Sequence, residues 1–179
     1  MRIVRYQTPT STEPRWGAVT GEQVLPLAGS PFSGAAPAGG EAMPLAEARL
    51  LAPVTPRKVV GVGRNYRAHA AEHDADVPTS PLIFLKPPTS VVGPGAPILL
   101  PPQSSRVEHE GELAVVVGAA GRWIDEAEAA RHVLGYTAAN DVTARDLQRA
   151  DPQWTRGKGF DSFTPLGPWI ETELELSRV

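Results

Sequence analysis

VEHEGELAVVVG, residues 107–118, joins two halves of opposite character. Glu108, Glu110 and Glu112 recur at every second position, and LAVVV then runs on without a polar break. Acids at period two followed by a β-branched run predict one long strand. Side chains two apart on a strand share a face, so three carboxylates line up. The apolar half shows no alternation, which predicts burial on both faces. A strand of this kind requires a sheet around it and carries its acids toward a core.

Further strands are expected on either side. YTAAND (Tyr136–Asp141) and LIFLK (Leu82–Lys86) are strand candidates, and residues 58–62 read as a buried strand. Near the start, IVRYQ, RWGAV and QVLPL are short strands, with a hairpin turn at Thr20-Gly21-Glu22. Helices are few and short: residues 66–73, residues 125–134 with Asp125 as N-cap, and TARDLQR (Thr143–Arg149). Thr143 and Asp146 have capping-box spacing. The 17 glycines and 19 prolines fit many turns between short strands. The expected class is mainly β with short helices (α+β). Residues 1–50 form a small leading module, and residues 51–179 form a second region. SPFSGAAPAGG (Ser30–Gly40) reads as a surface loop or linker.

The bulk numbers narrow the function. The chain has 179 residues, 41% hydrophobic and 21% charged, as an ordinary globular protein does. A net charge of -3 offers no basic excess for phosphates, so nucleic acid is not an expected partner. Cysteine is absent, which rules out disulfides and thiolate metal sites. No segment is long and apolar enough to cross a membrane, and MRIVRYQTPT lacks a signal-peptide run, so a cytoplasmic location is expected.

The chemistry-bearing residues each admit two readings. Carboxylates spaced like Glu108, Glu110 and Glu112 either coat a solvated strand face or share a cation that relieves their repulsion. Hard oxygen ligands favour Mg²⁺, Ca²⁺ or Mn²⁺ over zinc. Asp141 ends an apolar strand just before a helix, as a third ligand or as a turn residue. His69 and Glu72 are three apart, on one helix face, as an oriented base or as two surface polar groups. Lys158 lies between Gly157 and Gly159, where glycine permits close approach and unusual dihedrals, or it is a plain loop lysine. His73 and His132 read as structural, and His109 alternates away from the glutamates. Gly61 and Gly63 begin a dinucleotide-type turn, but the third glycine would fall at Tyr66, which excludes it.

Five blocks occur in order: GVGRNYRAHAAE, PLIFLKP, VEHEGELAVVVG, GYTAANDVTARDLQ and GKGFDSFTPLGPWI. Together they resemble the signature blocks of the fumarylacetoacetate hydrolase family. The resemblance implies a mixed β-sandwich roll with a small N-terminal β domain. It implies Mg²⁺ (or Mn²⁺) on Glu110, Glu112 and Asp141, with Glu108 at most behind them. It assigns His69 and Glu72 as the base pair, Lys158 as the active-site lysine, and Arg145 and Gln148 to the substrate. The implied activity is on a small 2-oxo acid, an acylpyruvate or unsaturated oxo-diacid, through a metal-stabilised enolate. The outcome is C–C hydrolysis, isomerisation or decarboxylation, in aromatic-compound catabolism. A homodimer is implied as well.

Family members continue past the position of Val179, with an Asn-Gly…Gln stretch and a Gly-Thr-Pro segment. The expectation is therefore a catalytic domain lacking its C-terminal part. The rival is a non-catalytic remnant that binds a metal or a partner.

Overall fold

A computed structural model describes residues 1–66 and 78–178. The strands, in order, are β1 (Arg2–Thr8), β2 (Ser11–Thr20), β3 (Gln23–Ala28), β4 (Ala36–Pro37), β5 (Met43–Pro44) and β6 (Arg49–Leu51). They continue with β7 (Val59–Gly63), β8 (Leu82–Lys86), β9 (Val91–Val92), β10 (Val107–Glu108) and β11 (Gly111–Val117). The last are β12 (Val133–Asn140), β13 (Thr143–Ala144) and β14 (Thr164–Glu171). Two short α-helices, α1 (Arg145–Ala150) and α2 (Thr155–Lys158), lie between β13 and β14. Mainly β structure with few short helices is thus what the sequence predicts.

The large sheet runs β11-β12-β14-β1-β2-β3-β4, and β10-β13 and β7-β8 form two small antiparallel pairs. Pairing is antiparallel except for β9 on β14, so the sheet is mixed. The leading strands join the later ones directly: Ile3 of β1 pairs with Ile170 of β14. Ile3 and Ile170 then share a core cluster with Val116 and Leu166. A second cluster gathers Val4, Tyr6 and Val24, and a third gathers Val142, Ala144 and Phe163 beneath the helices.

Five expectations need correction. The strand read at residues 58–62 is not buried, because Val60 and Val62 of β7 are exposed. Residues 107–118 are not one strand. β10 pairs with β13, whereas β11 pairs with β12, and the chain switches sheets at His109–Glu110. LAVVV is not buried on both faces either. Val116 is buried, but Val115 and Val117 are exposed, because β11 is an edge strand whose outer face the described residues leave bare. The expected helix at residues 125–134 is a 3-10 segment, Glu126–His132, that buries no residue and gives way to β12. Without an apolar stripe to pack, a short acidic stretch has nothing to stabilise a full α-helix. Asp125 is its N-cap but makes no side-chain cap bond. Finally, Thr143 and Asp146 form no capping box. The N-cap of α1 is Ala144, and both side chains are engaged elsewhere. The helix expected at residues 66–73 lies outside the described residues from position 67 onward.

Candidate metal and substrate site

The sheet switch builds the site. The Glu110 N–H donates to Asn140 Oδ1 at 3.0 Å, and the Asp141 N–H donates to the Glu110 carbonyl at 2.9 Å. These bonds hold the start of β11 against the end of β12. Glu110, Glu112 and Asp141 therefore converge, each offering a carboxylate oxygen within 4.8 Å of the others. Three hard oxygens without sulfur suit Mg²⁺ or Mn²⁺.

Cations surround two of the three acids. Lys158 Nζ donates to Glu110 Oε2 at 2.9 Å, Asp141 Oδ2 at 2.5 Å and Thr143 Oγ1 at 2.8 Å. Arg145 Nη2 donates to Glu110 Oε1 at 2.6 Å, its Nε to Glu108 Oε2 at 2.8 Å, and its Nη1 to Gln148 Oε1 at 2.7 Å. Lys86 Nζ donates to Asp141 Oδ1 and, at 2.8 Å, to the Phe163 carbonyl. Lys86, Arg145 and Lys158 are all buried. A lysine so enclosed is stable only when paired.

The electrostatics differ among the acids. Burial pushes the Glu110 carboxyl up, but Lys158 and Arg145 outweigh it and hold the group below its ordinary range. Among the described residues, Glu112 has no such cation at hydrogen-bond range. Burial first, and then the charge of Asp141, raise it against a hydrogen bond with Tyr66. An acid kept from ionising by burial and by a neighbour's charge is one that a cation would relieve, and the three converging carboxylates fit a divalent metal. Lys86 is lowered, chiefly by burial, against the opposing charge of Asp141.

A cavity of about 320 Å³ opens over these groups. Glu110, Glu112, Asp141, Arg145, Gln148 and Lys158 all line it. His69 and Glu72 lie outside the described residues. Glu108 stands behind Arg145, shared with Arg106 at 2.5 Å. His109 is exposed and stands outside the triad.

Glycines supply the close approaches. A Cβ on Gly157 would sit 2.8 Å from the Gln148 amide nitrogen, so only glycine lets α2 pack on α1 and bring Lys158 inward. Neither Gly157 nor Gly159 has positive φ, so close approach rather than unusual dihedrals is the reason. Gly61 and Gly63 belong to strand β7, and a Cβ on either would strike the ring of Phe84 or Trp154. Those two rings meet edge to face at 5.6 Å and wall the cavity, with Lys158 Nζ 5.0 Å from the Phe84 centroid.

Sequence reasoning did not single out Lys86, Tyr66, Phe84 or Trp154. For Lys86 a signal existed: it shares strand parity with Phe84, the half-buried aromatic of LIFLK, and Pro87 stops the strand there.

Fold and site together define a mixed β roll with a carboxylate triad able to hold a metal ion, set among buried cations. Residues 58–179 match the family described as fumarylacetoacetate (FAA) hydrolase C-terminal, and residues 1–53 match one described as Rv2993c-like, N-terminal. The chain belongs to the fumarylacetoacetate hydrolase family. It is 46% identical over 181 residues to Protein Rv2993c of Mycobacterium tuberculosis, covering 97% of this chain and 67% of that protein. A 5-carboxymethyl-2-hydroxymuconate delta-isomerase from Mycobacterium smegmatis superposes with a TM-score of 0.88 at 45% identity, covering 99% of this chain and 69% of the other. A maleylpyruvate hydrolase from Sphingobium sp. SYK-6, solved with manganese(II) and pyruvate, superposes with a TM-score of 0.70 at 27% identity, covering 96% and 67%. The chain spans 43% to 67% of the lengths of curated relatives it matches.

Proposed function

We propose that this chain is the core of a metal-dependent enzyme that acts on a small 2-oxo acid, by C–C hydrolysis, isomerisation or decarboxylation. The observation that carries it is the acidic triad beside buried Lys158 in one cavity. The maleylpyruvate hydrolase with manganese and pyruvate supports the same ligand chemistry. Glu110, Glu112 and Asp141 would hold Mg²⁺ or Mn²⁺. A cation there supplies Lewis-acid stabilisation of negative charge on the 2-oxo oxygen.

The chain's own groups do the rest. Lys158, hydrogen-bonded to Glu110 and Asp141, would add a second positive group beside an enolate formed at the triad. Arg145 fixes the orientation of Glu110 and Gln148. Phe84 and Trp154 exclude water from one side of the cavity. By family resemblance, His69 oriented by Glu72 would take a proton from water in a hydrolase, or from carbon in an isomerase. Homodimerisation and a cytoplasmic location belong to the same proposal.

The test is a panel of fumarylpyruvate, acetylpyruvate and oxaloacetate, with and without a chelator. Turnover of at least one is expected, and chelation should abolish it. His69→Ala should lower the rate by about 10²–10⁴-fold, the usual cost of a lost general base, while metal binding stays intact. Rates unaffected by chelation would overturn the proposal.

A further inference from the structure

We infer that a second cavity, at the end of the β7-β8 pair and apart from the triad, binds a small carboxylate with an apolar body. Arg57 and Lys58 would take the carboxylate, and Leu85, Pro87 and Pro88 the body. The inference does not depend on a metal at the triad.

The first support is the way the cavity arises. The β7-β8 ladder ends where Val59 pairs with Lys86. Pro87 and Pro88 follow, and neither has an N–H with which to extend the ladder opposite Lys58 and Arg57. Pairing stops there, and a cavity of about 330 Å³ lies at the end of the ribbon. Gly159, just after α2, lines it as well. A Cβ on Gly159 would sit 3.0 Å from Pro87 Cδ, so glycine lets the chain after α2 come this close.

The second support is charge. Arg57, Lys58 and Lys86 line the cavity, and no acid among the described residues does. The ammonium of Lys86 is engaged by Asp141 and the Phe163 carbonyl. Arg57 and Lys58 are exposed and have no acidic partner among the described residues. Two uncompensated cations thus meet at one rim. A guanidinium fork beside an ammonium suits an oxyanion, and the fork matches a carboxylate in shape.

The third support is the remaining lining. Leu85, Pro87 and Pro88 present apolar surface beside those two cations. A bare inorganic ion would leave that surface in water, whereas an apolar body would cover it. The volume falls at the small end of the usual range for small-molecule sites, about 300–1,000 Å³, and suits one ring or a short chain.

The test is calorimetric titration of benzoate into the chain, with two comparison probes. Benzamide keeps the ring and lacks the charge, and acetate keeps the charge and lacks the ring. Saturable binding of one benzoate is expected, with each comparison probe at least about tenfold weaker, the scale of one charge-assisted pair or one buried apolar group. The double variant Arg57→Gln, Lys58→Gln should weaken benzoate by a similar factor. The double variant Arg64→Gln, Arg149→Gln, at the triad cavity, should leave it unchanged. All four residues are exposed, so neither variant removes a core contact. Absence of saturable benzoate binding overturns the inference, and so does equal affinity for benzamide or acetate. Full affinity in the Arg57 and Lys58 variant overturns it too. Loss in the Arg64 and Arg149 variant would place benzoate in the triad cavity and overturn it as well.

Discussion

At the scale of single residues, the site is a balance of three acids and three buried cations. Glu110 and Asp141 could be picked out in the sequence because acids at strand spacing and at a strand end raise the question of a cation. Lys158 was marked by its flanking glycines and by resemblance. Lys86 was not, because a lysine closing an apolar strand looks like the point where the strand meets solvent. In the fold its ammonium turns inward to Asp141 and the Phe163 carbonyl, on the face that it shares with Phe84. Removing one partner from a buried pair typically costs about 3–5 kcal/mol, because the other charge is left uncompensated. Lys158 still faces Asp141, so Lys86→Met should fall near the lower end of that range in metal-free protein. Added Mg²⁺ should restore part of the loss, since a cation held at the triad would compensate the charge that Lys86→Met leaves bare on Asp141. Urea midpoints with and without Mg²⁺ measure both effects. A variant as stable as the parent would contradict the pairing.

At the scale of elements, the break between β10 and β11 matters most. The local pattern of VEHEGEL suits a continuous strand, and nothing within it announces the break. The cause is non-local: β13 captures one side and β12 the other. The same limit applies to Asp146. By spacing it is a capping-box partner, yet it accepts from Ser104 Oγ at 2.6 Å and from the Ser105 N–H at 2.9 Å. The Ser104 hydroxyl and then the Ser105 amide hold this carboxyl well below the usual range. A depressed carboxylate contributes stability that is present above its unfolded pKa and is lost as pH falls through the folded value. Asp146→Asn should therefore be less stable than the parent at pH 7. The gap should persist to about pH 4, near the unfolded pKa, and narrow only in stronger acid. Thermal melts across that range check it, and a gap that closes already at pH 5 would contradict it.

At the scale of the whole molecule, the fold class was legible because turn residues, short apolar runs and five ordered blocks all pointed one way. Burial was less legible, since it depends on what lies across each sheet. Val60, Val62, Ile83 and Leu85 sit on cross-strand neighbours of β7-β8, and all four are exposed. Together with Val115 and Val117 they leave apolar surface bare, and such surface drives association. Light scattering of this chain should show mass rising with concentration, and Ile83→Lys with Leu85→Lys should reduce it. A monomer at all concentrations would contradict that expectation. The most direct test of the site is Mn²⁺ calorimetry on the parent and on Glu112→Gln. Among the described residues Glu112 is the triad acid without a cation at hydrogen-bond range, so the change removes a ligand charge and disturbs no ion pair seen there. One Mn²⁺ per chain is expected in the parent, bound at least about tenfold more weakly in the variant. No binding in the parent, or equal affinity in the two, would contradict a metal at Glu110, Glu112 and Asp141.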